Sequence, residues 1–329
     1  MQGVNMKKYA FRIILMLFLA WAALALSSRL CVVLRRNPDI LKNEDPYGIM
    51  KEAEYTIDVV TVGDSDVYSA VSPMILWGRQ GITAYNWSEA GARIYDCRYF
   101  LKNIYKKQSP KVVMISVNSI FEEESRVDSA DRRIRAAAAY RFPVFAVHRF
   151  WRNIRMLPGC LKTDHSVSKG YYTRLKTVPA PARSIKKYMK PPAGAGAAAR
   201  TIPAEAEKEL AACIDLARAN GSEVVLLAIP CVKDWSYEKS AAVRSYAGDR
   251  ELAFLDLSEC ADIAINWKKD TCDGGEHLNW RGAKKVSRYL GKYLGKNYGL
   301  PDHRKEKGFD RWEEDFILYK KALDEGVWN

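Results

Sequence analysis

The chain opens on a long apolar run and then changes character. Residues 13–28 read Ile-Ile-Leu-Met-Leu-Phe-Leu-Ala-Trp-Ala-Ala-Leu-Ala-Leu-Ser-Ser, and Tyr9, Ala10 and Phe11 extend the run upstream, with Arg12 placed to snorkel. About 20 apolar residues span a bilayer as a helix. Lys7, Lys8 and Arg12 precede the run and favour a cytoplasmic N-terminus; Arg29, Arg35 and Arg36 follow it and weaken that bias. Ala23-Leu24-Ala25 resembles a signal-peptide cleavage site, whereas the basic, apolar continuation through Cys31-Val32-Val33-Leu34 favours an uncleaved anchor. Either way, the rest of the chain is expected outside the cytoplasm, at the cell membrane.

Past this run the patterning alternates between two periods. Short apolar runs rich in β-branched residues predict strands at 57–62, 82–87, 111–117, 223–229 and 253–257. Helical spacing recurs at 94–106, 135–157, 204–219, 237–247, 280–294 and 309–323, with Asn220-Gly221 as a C-cap signal. Residues 178–200 are rich in Pro, Ala and Gly and read as a surface loop. The division expected is an anchor over 1–36, a linker over 37–54, one α/β domain over 55–300 with an insertion at about 125–203, and a C-terminal amphipathic helix within 301–329. Alternating strands and helices predict a mainly parallel sheet covered on both faces. Ligands of such sheets bind beyond the carboxyl ends of the strands. Ser65, Asn86 and Asn118 fall at or just after predicted strand ends.

Composition narrows the partners. The 329 residues carry a net charge of +13, with 48% hydrophobic and 28% charged residues, as in a globular protein. There is no zinc spacing, helix-turn-helix pattern or aromatic-basic motif, so nucleic acid is not the expected partner. Membrane lipid headgroups or an anionic wall polymer suit an anchored basic protein better. The seven cysteines form no CxxC pair, and their odd count argues against a disulfide framework. No metal-ligand cluster or cofactor motif appears, so catalysis without either is expected.

The chemistry gathers at two places. Gly63-Asp64-Ser65-Asp66 follows the first strand of the domain, and Asp273-Gly274-Gly275-Glu276-His277-Leu278-Asn279-Trp280 forms a late loop. A serine hydroxyl needs a base to become a nucleophile. His277 is the base in a well-placed loop; His148, His165 and His303 read as surface or packing residues. Asp273 is the first candidate for the acid that orients the imidazole, with Asp270 the alternative. The backbone N–H groups of Ser65 and Gly91 and the side chain of Asn118 are candidate oxyanion donors. Asp64, Asp66, Asn86, Asn279 and Trp280 are candidate pocket residues. Taken alone, Ser65 is an ordinary serine at a strand-to-helix turn; its pairing with His277 and Asn118 is what points to catalysis. Lys169-Gly170-Tyr171-Tyr172 reads more readily as packing than as a cleft wall.

These residues resemble the SGNH (GDSL-like) hydrolase superfamily. Gly63-Asp64-Ser65 matches its first block, Asn86-Trp87-Ser88-Glu89-Ala90-Gly91 its glycine block, Ser116-Val117-Asn118-Ser119 its asparagine block, and Asp273 through His277 its last block. Two positions depart: Asp66 stands where leucine is usual, and the acid lies four rather than three residues before the histidine. The resemblance implies a three-layer α/β/α, flavodoxin-like parallel sheet and a Ser-His-Asp esterase. More narrowly, His277-Leu278-Asn279 with Gly282-Ala283-Lys284-Lys285, Ile229-Pro230 and a Trp312-containing terminal helix resemble membrane-anchored relatives of the D-alanyl transfer protein of teichoic-acid modification. That likeness implies acetyl or alanyl transfer to or from a cell-surface glycan, beside a membrane-bound O-acyltransferase. A non-catalytic adaptor of the same fold, binding such an acyltransferase or a wall polymer, is the competing expectation.

Overall fold

The computed structural model describes residues 2–34, 40–41, 45–122, 126–146, 165–191 and 200–328. Five parallel strands form its centre: β1 (Val59–Gly63), β2 (Ala84–Ser88), β3 (Val112–Ser116), β4 (Glu223–Ala228) and β5 (Ala253–Asp256). Their order is β2-β1-β3-β4-β5. Every residue of β1, β2 and β3 is buried, which is why β1 and β3 read as nearly continuous apolar runs. Helices are α1 (Gln2–Leu34), α2 (Ser65–Ala70), α3 (Pro73–Gln80), α4 (Ile94–Ile104), α5 (Arg126–Arg141), α6 (Ala182–Lys187), α7 (Ala204–Ala219), α8 (Tyr237–Gly248), α9 (Trp280–Tyr298) and α10 (Asp310–Trp328).

Alternate strand residues feed two cores. Val60, Val62, Val113, Ile115 and Leu226 pack with Leu101 of α4, Leu210 and Ile214 of α7, and Val243 of α8. Val59, Met114, Val225 and Leu227 face the other way, against Leu76 of α3 and Val286, Leu290 and Leu294 of α9. The result is a three-layer α/β/α sandwich with the flavodoxin-like strand order. The chain runs from β1 to one neighbour, β2, and then crosses to the other, β3. Such a reversal opens a crevice at the carboxyl ends of β1 and β3, which is where Ser65 and Asn118 sit.

The expected strands fall within a residue or two of those observed, and α7 matches its predicted range. Helices α2 and α3 were not expected. Pro73 looks like a breaker but starts α3 at its first turn, where its missing N–H costs nothing. Helix α2 is too short for periodicity to register. The helix expected over 135–157 is displaced: α5 ends at Arg141, a 3-10 turn spans Pro143–Ala146, and 147–164 lie outside the described residues, His148 included. Within the loop expected over 178–200, residues 182–187 form α6.

Part of the stretch expected to be a linker is built into the domain. Pro46–Lys51 is a 3-10 helix whose Tyr47 ring packs edge-on against Trp87 at 4.9 Å. Glu52 then joins a buried charge cluster. Lys169 is fully buried, with Nζ 2.8 Å from Glu52 Oε1 and 2.7 Å from Asp315 Oδ2, while His165 Nε2 lies 2.5 Å from Asp315 Oδ1. The cluster ties residues before β1 and helix α10 to one point. His303 is also structural, held between Asp58 and Glu306 and stacked on Phe309.

Helix α1 contains one 24-residue segment, Lys7–Leu30, apolar enough to cross a membrane, with mean hydropathy 2.1 and none of its apolar window buried. At 1.5 Å per residue this is about 36 Å long, enough for a hydrocarbon core. Near its end, Ser28 Oγ accepts from Val144 N at 3.4 Å, and Leu24 packs against Val144, as does Phe142. The five cysteines with described side chains, 97, 213, 231, 260 and 272, are free thiols.

Candidate active site

Strand β1 delivers Ser65 through a tight turn. A Cβ on Gly63 would lie 2.6 Å from Val67 Cγ2 and 2.7 Å from Ser116 Cβ, so only glycine lets β1, β3 and α2 approach so closely. Asp64 caps α2 by accepting from Asp66 N at 3.0 Å. Ser65 therefore opens the helix, and its Oγ lies 2.8 Å from His277 Nε2. One turn on, Ser69 Oγ donates to Ser65 O at 2.7 Å.

The loop between β5 and α9 delivers the base. Asp273 Oδ2 lies 2.5 Å from His277 Nδ1, and Asp273 Oδ1 accepts from His277 N at 2.8 Å. Thr271 Oγ1 accepts from Gly275 N at 2.8 Å and donates to His277 O at 2.9 Å, cross-bracing the loop. Asp270 is buried elsewhere, with Oδ2 accepting from Asn266 N at 2.7 Å and from Lys285 Nζ at 2.6 Å. Of the two acids weighed from sequence, Asp273 is the one that meets His277.

The extra residue between acid and base is absorbed by Gly274 and Gly275, at φ +83° and +102°. A Cβ on Gly275 would meet Val232 Cγ1 at 2.1 Å. Gly275→Ala combines this clash with an unfavourable φ, and we expect a loss of about 2–4 kcal/mol of stability. Urea melts read this directly; an unchanged midpoint would show that the loop has another conformation open to it.

Charge around the serine is unusual. Burial opposes ionisation of Asp273, but the hydrogen bonds from His277 outweigh it and hold the carboxyl at about 2, so it is anionic at neutral pH. Asp64 goes the other way: burial raises it to about 6, against the pull of the Asp66 N–H and of His277. Burial, and then the nearby carboxylates of Asp64, Asp234, Glu276 and Asp273, push Asp66 well above its ordinary range. Asp64 and Asp66 thus bind protons more tightly folded than unfolded. The stability that protonated Asp64 contributes is full below the unfolded value of 3.8 and is lost as pH rises through about 6, and Asp66 acts in the same direction. Melting temperature should fall between pH 4 and pH 7, and Asp64→Asn with Asp66→Asn should flatten that slope. A double variant with the native slope would assign it elsewhere.

The candidate oxyanion donors occupy distinct settings. Among the described residues, the N–H groups of Ser65 and Gly91 meet no backbone acceptor, and Gly91 sits in the Glu89–Ala92 turn at φ +71°. Asn118 donates from Nδ2 to Ile229 O and accepts at Oδ1 from Ile229 N, both at 2.8 Å, which clamps the ends of β3 and β4 and leaves one amide hydrogen uncommitted. Three other sequence candidates make contacts within the protein. Asn86 is buried and donates to Val71 O at 2.7 Å. Asn279 caps α9, accepting from Arg281 N at 3.0 Å. Trp280 packs edge-on against Tyr319 at 6.2 Å. Asn86 and Trp280 meet partners distant in sequence, whereas the cap that Asn279 makes is local, its Nδ2 reaching back to Lys269 O and Thr177 Oγ1.

Beside the asparagine turn, Arg93, Tyr95, Ser119, Glu122, Arg133 and Pro203 line a cleft of about 400 Å³. Arg93 and Glu122 form an ion pair across it. Asp273, Glu276 and His277 bring three potential metal ligands within 4.8 Å of one another. Their groups are already engaged, since both His277 nitrogens are bonded and Glu276 Oε2 pairs with Lys233 Nζ at 2.8 Å. The set is better suited to proton transfer than to holding an ion.

No family model matches the chain, and no curated protein matches it. Solved structures do resemble it. TesA is 13% identical over 72% of this chain and 98% of its own, with a TM-score of 0.37. A GDSL-like lipase from Bacteroides thetaiotaomicron VPI-5482 is 14% identical over 72% of this chain and 87% of its own, with a TM-score of 0.34. A member of the lipolytic protein G-D-S-L family from Veillonella parvula DSM 2008 is 11% identical over 73% of this chain and 99% of its own, with a TM-score of 0.35. At these values the function has to be read from the chain's own site.

Proposed function

We propose that the chain is a membrane-anchored serine esterase or O-acyltransferase of the SGNH type, acting on acetyl or alanyl esters of a cell-surface glycan. One observation carries this reading: His277 lies within hydrogen-bond reach of Ser65 through Nε2 and of Asp273 through Nδ1, at 2.8 Å and 2.5 Å. That connectivity is what nucleophilic acyl chemistry requires.

Ser65 Oγ attacks the ester carbonyl while His277 Nε2 takes its proton. Asp273 holds the imidazole with Nδ1 protonated and stabilises the imidazolium. The N–H groups of Ser65 and Gly91 and the free amide hydrogen of Asn118 stabilise the oxyanion. His277 then returns the proton to the departing alkoxide, leaving an acyl-serine. Water, or a hydroxyl of a second glycan, takes the acyl group by the reverse steps.

The apolar α1 supports an extracytoplasmic catalytic domain at the cell membrane, and the net charge of +13 supports an anionic polymer or lipid surface as its surroundings. A membrane-bound O-acyltransferase is the partner that would supply acyl groups to such a site. The test uses the full-length protein in detergent with O-acetylated wall glycan. Release of acetate indicates hydrolysis, and acetyl transfer to added unmodified glycan indicates transferase action. Intact esters after prolonged incubation, with no covalent labelling at Ser65, would leave only the adaptor role.

A further inference from the structure

A second group belongs to this site that the triad does not use. Arg174 lies between the helix carrying the nucleophile and the loop carrying the base. Its Nε donates to Ser69 Oγ at 3.1 Å, and Ser69 Oγ in turn donates to Ser65 O at 2.7 Å. Its guanidinium also reaches the Cys272 thiol, whose Sγ is 3.6 Å from His277 O. Two aromatic rings flank the cation: Tyr172 at 5.1 Å and Tyr68 at 5.8 Å. Among the described residues, no carboxylate pairs with Arg174. The carboxylates of Asp64, Asp66, Asp234 and Glu276 lie near one another instead. A half-buried guanidinium held at Nε and flanked by rings keeps its outer donors in a fixed plane, where an anion can complete it.

We infer that Arg174, with Tyr68 and Tyr172, binds an oxyanion of the substrate, a phosphate or carboxylate close to the acylated hydroxyl. This rests on the ester chemistry proposed above and names which part of the substrate the site recognises. Arginine matches both oxyanions through a planar two-donor fork, and Nε fixation sets the plane of that fork. The rings flank the guanidinium, and Tyr172, the partly exposed one, offers a flat face to a sugar or polyol. The serine's reach then selects esters whose hydroxyl neighbours the anion. A purely structural role for Arg174, bracing α2 against the 271–277 loop, predicts no preference for charge in the ligand.

The test is binding to full-length Ser65→Ala protein in detergent, which turns nothing over. Glycerol 3-phosphate, glycerate and glycerol are titrated in parallel by NMR. The two anions separate phosphate from carboxylate recognition, and glycerol is the neutral control. At least one anion is expected to bind about tenfold or more tighter than glycerol. Adding Arg174→Gln should erase that margin. Arg174→Lys, which keeps the charge but not the fork, should retain a fraction of it and covers the case in which the glutamine variant does not fold. Equal affinity for all three ligands, or a margin that survives both substitutions, overturns the inference. Failure of native protein to label with a fluorophosphonate would instead sink the ester chemistry while leaving the anion site standing.

Discussion

Replacing Ser65 with alanine should abolish covalent labelling by a serine-directed fluorophosphonate and lower ester turnover by at least about a thousandfold. The hydroxyl is the atom that forms the acyl bond, and its one recorded side-chain contact is the 2.8 Å approach of His277 Nε2. Among the described residues, no other side chain is hydrogen-bonded to that hydroxyl. Asp64 rather than Ser65 caps α2, and the close packing of β1 against β3 depends on Gly63. The melting temperature should therefore stay within a few degrees of the native value, and the loss is read as chemistry rather than unfolding. His277→Ala should lose a similar amount, and the double variant little more, because the two groups act as one unit. Labelling that persists in Ser65→Ala would move the nucleophile elsewhere. Full turnover in that variant would sink the Ser65 mechanism.

The sheet was legible because parallel strands buried on both faces leave a plain mark. Val59-Val60-Thr61-Val62 and Val112-Val113-Met114-Ile115 are continuous apolar runs, each ending at a polar residue with a task. Ser65 drew notice for a related reason: it stands just past the end of β1, and the sequence paired it with the one histidine in a Gly-rich loop. Legibility stopped where a residue's role depends on partners far along the chain. Asn86 and Asn279 looked like pocket residues because an asparagine carries no mark of whether its amide meets substrate or backbone. Lys169 read as packing, and it does pack, yet nothing local announces that Glu52 and Asp315 reach it from 117 and 146 residues away. Arg174 was not singled out at all. Its signal is the absence of a countercharge, which no local stretch of sequence can display.

Asp273→Asn should cost roughly 10,000-fold in turnover while leaving the fold largely intact. The four-residue spacing made this acid uncertain in sequence, and the geometry explains why the spacing works. Two glycines at positive φ turn the backbone so that one carboxylate oxygen meets the histidine's ring and the other its own backbone N–H. An asparagine keeps the size and the acceptor oxygen but adds an N–H₂ group. If that group faces Nδ1, the imidazole must carry its proton on Nε2, where it can no longer take one from Ser65. The imidazolium also loses its countercharge. Asp270→Asn is the matched control, because that carboxylate is tied to Lys285 and Asn266 and has no recorded contact with His277. It should lower the melting temperature through the broken ion pair and leave turnover per folded molecule within a few-fold. The native carboxyl at about 2 also fixes the sign of any acid effect: the support Asp273 gives to folding is present above its unfolded value of 3.8 and fades only as pH falls through about 2. An acid-side loss of activity near neutrality therefore reports another group of the site. If Asp270→Asn proved the crippling change and Asp273→Asn the mild one, the loop would have to rearrange before catalysis.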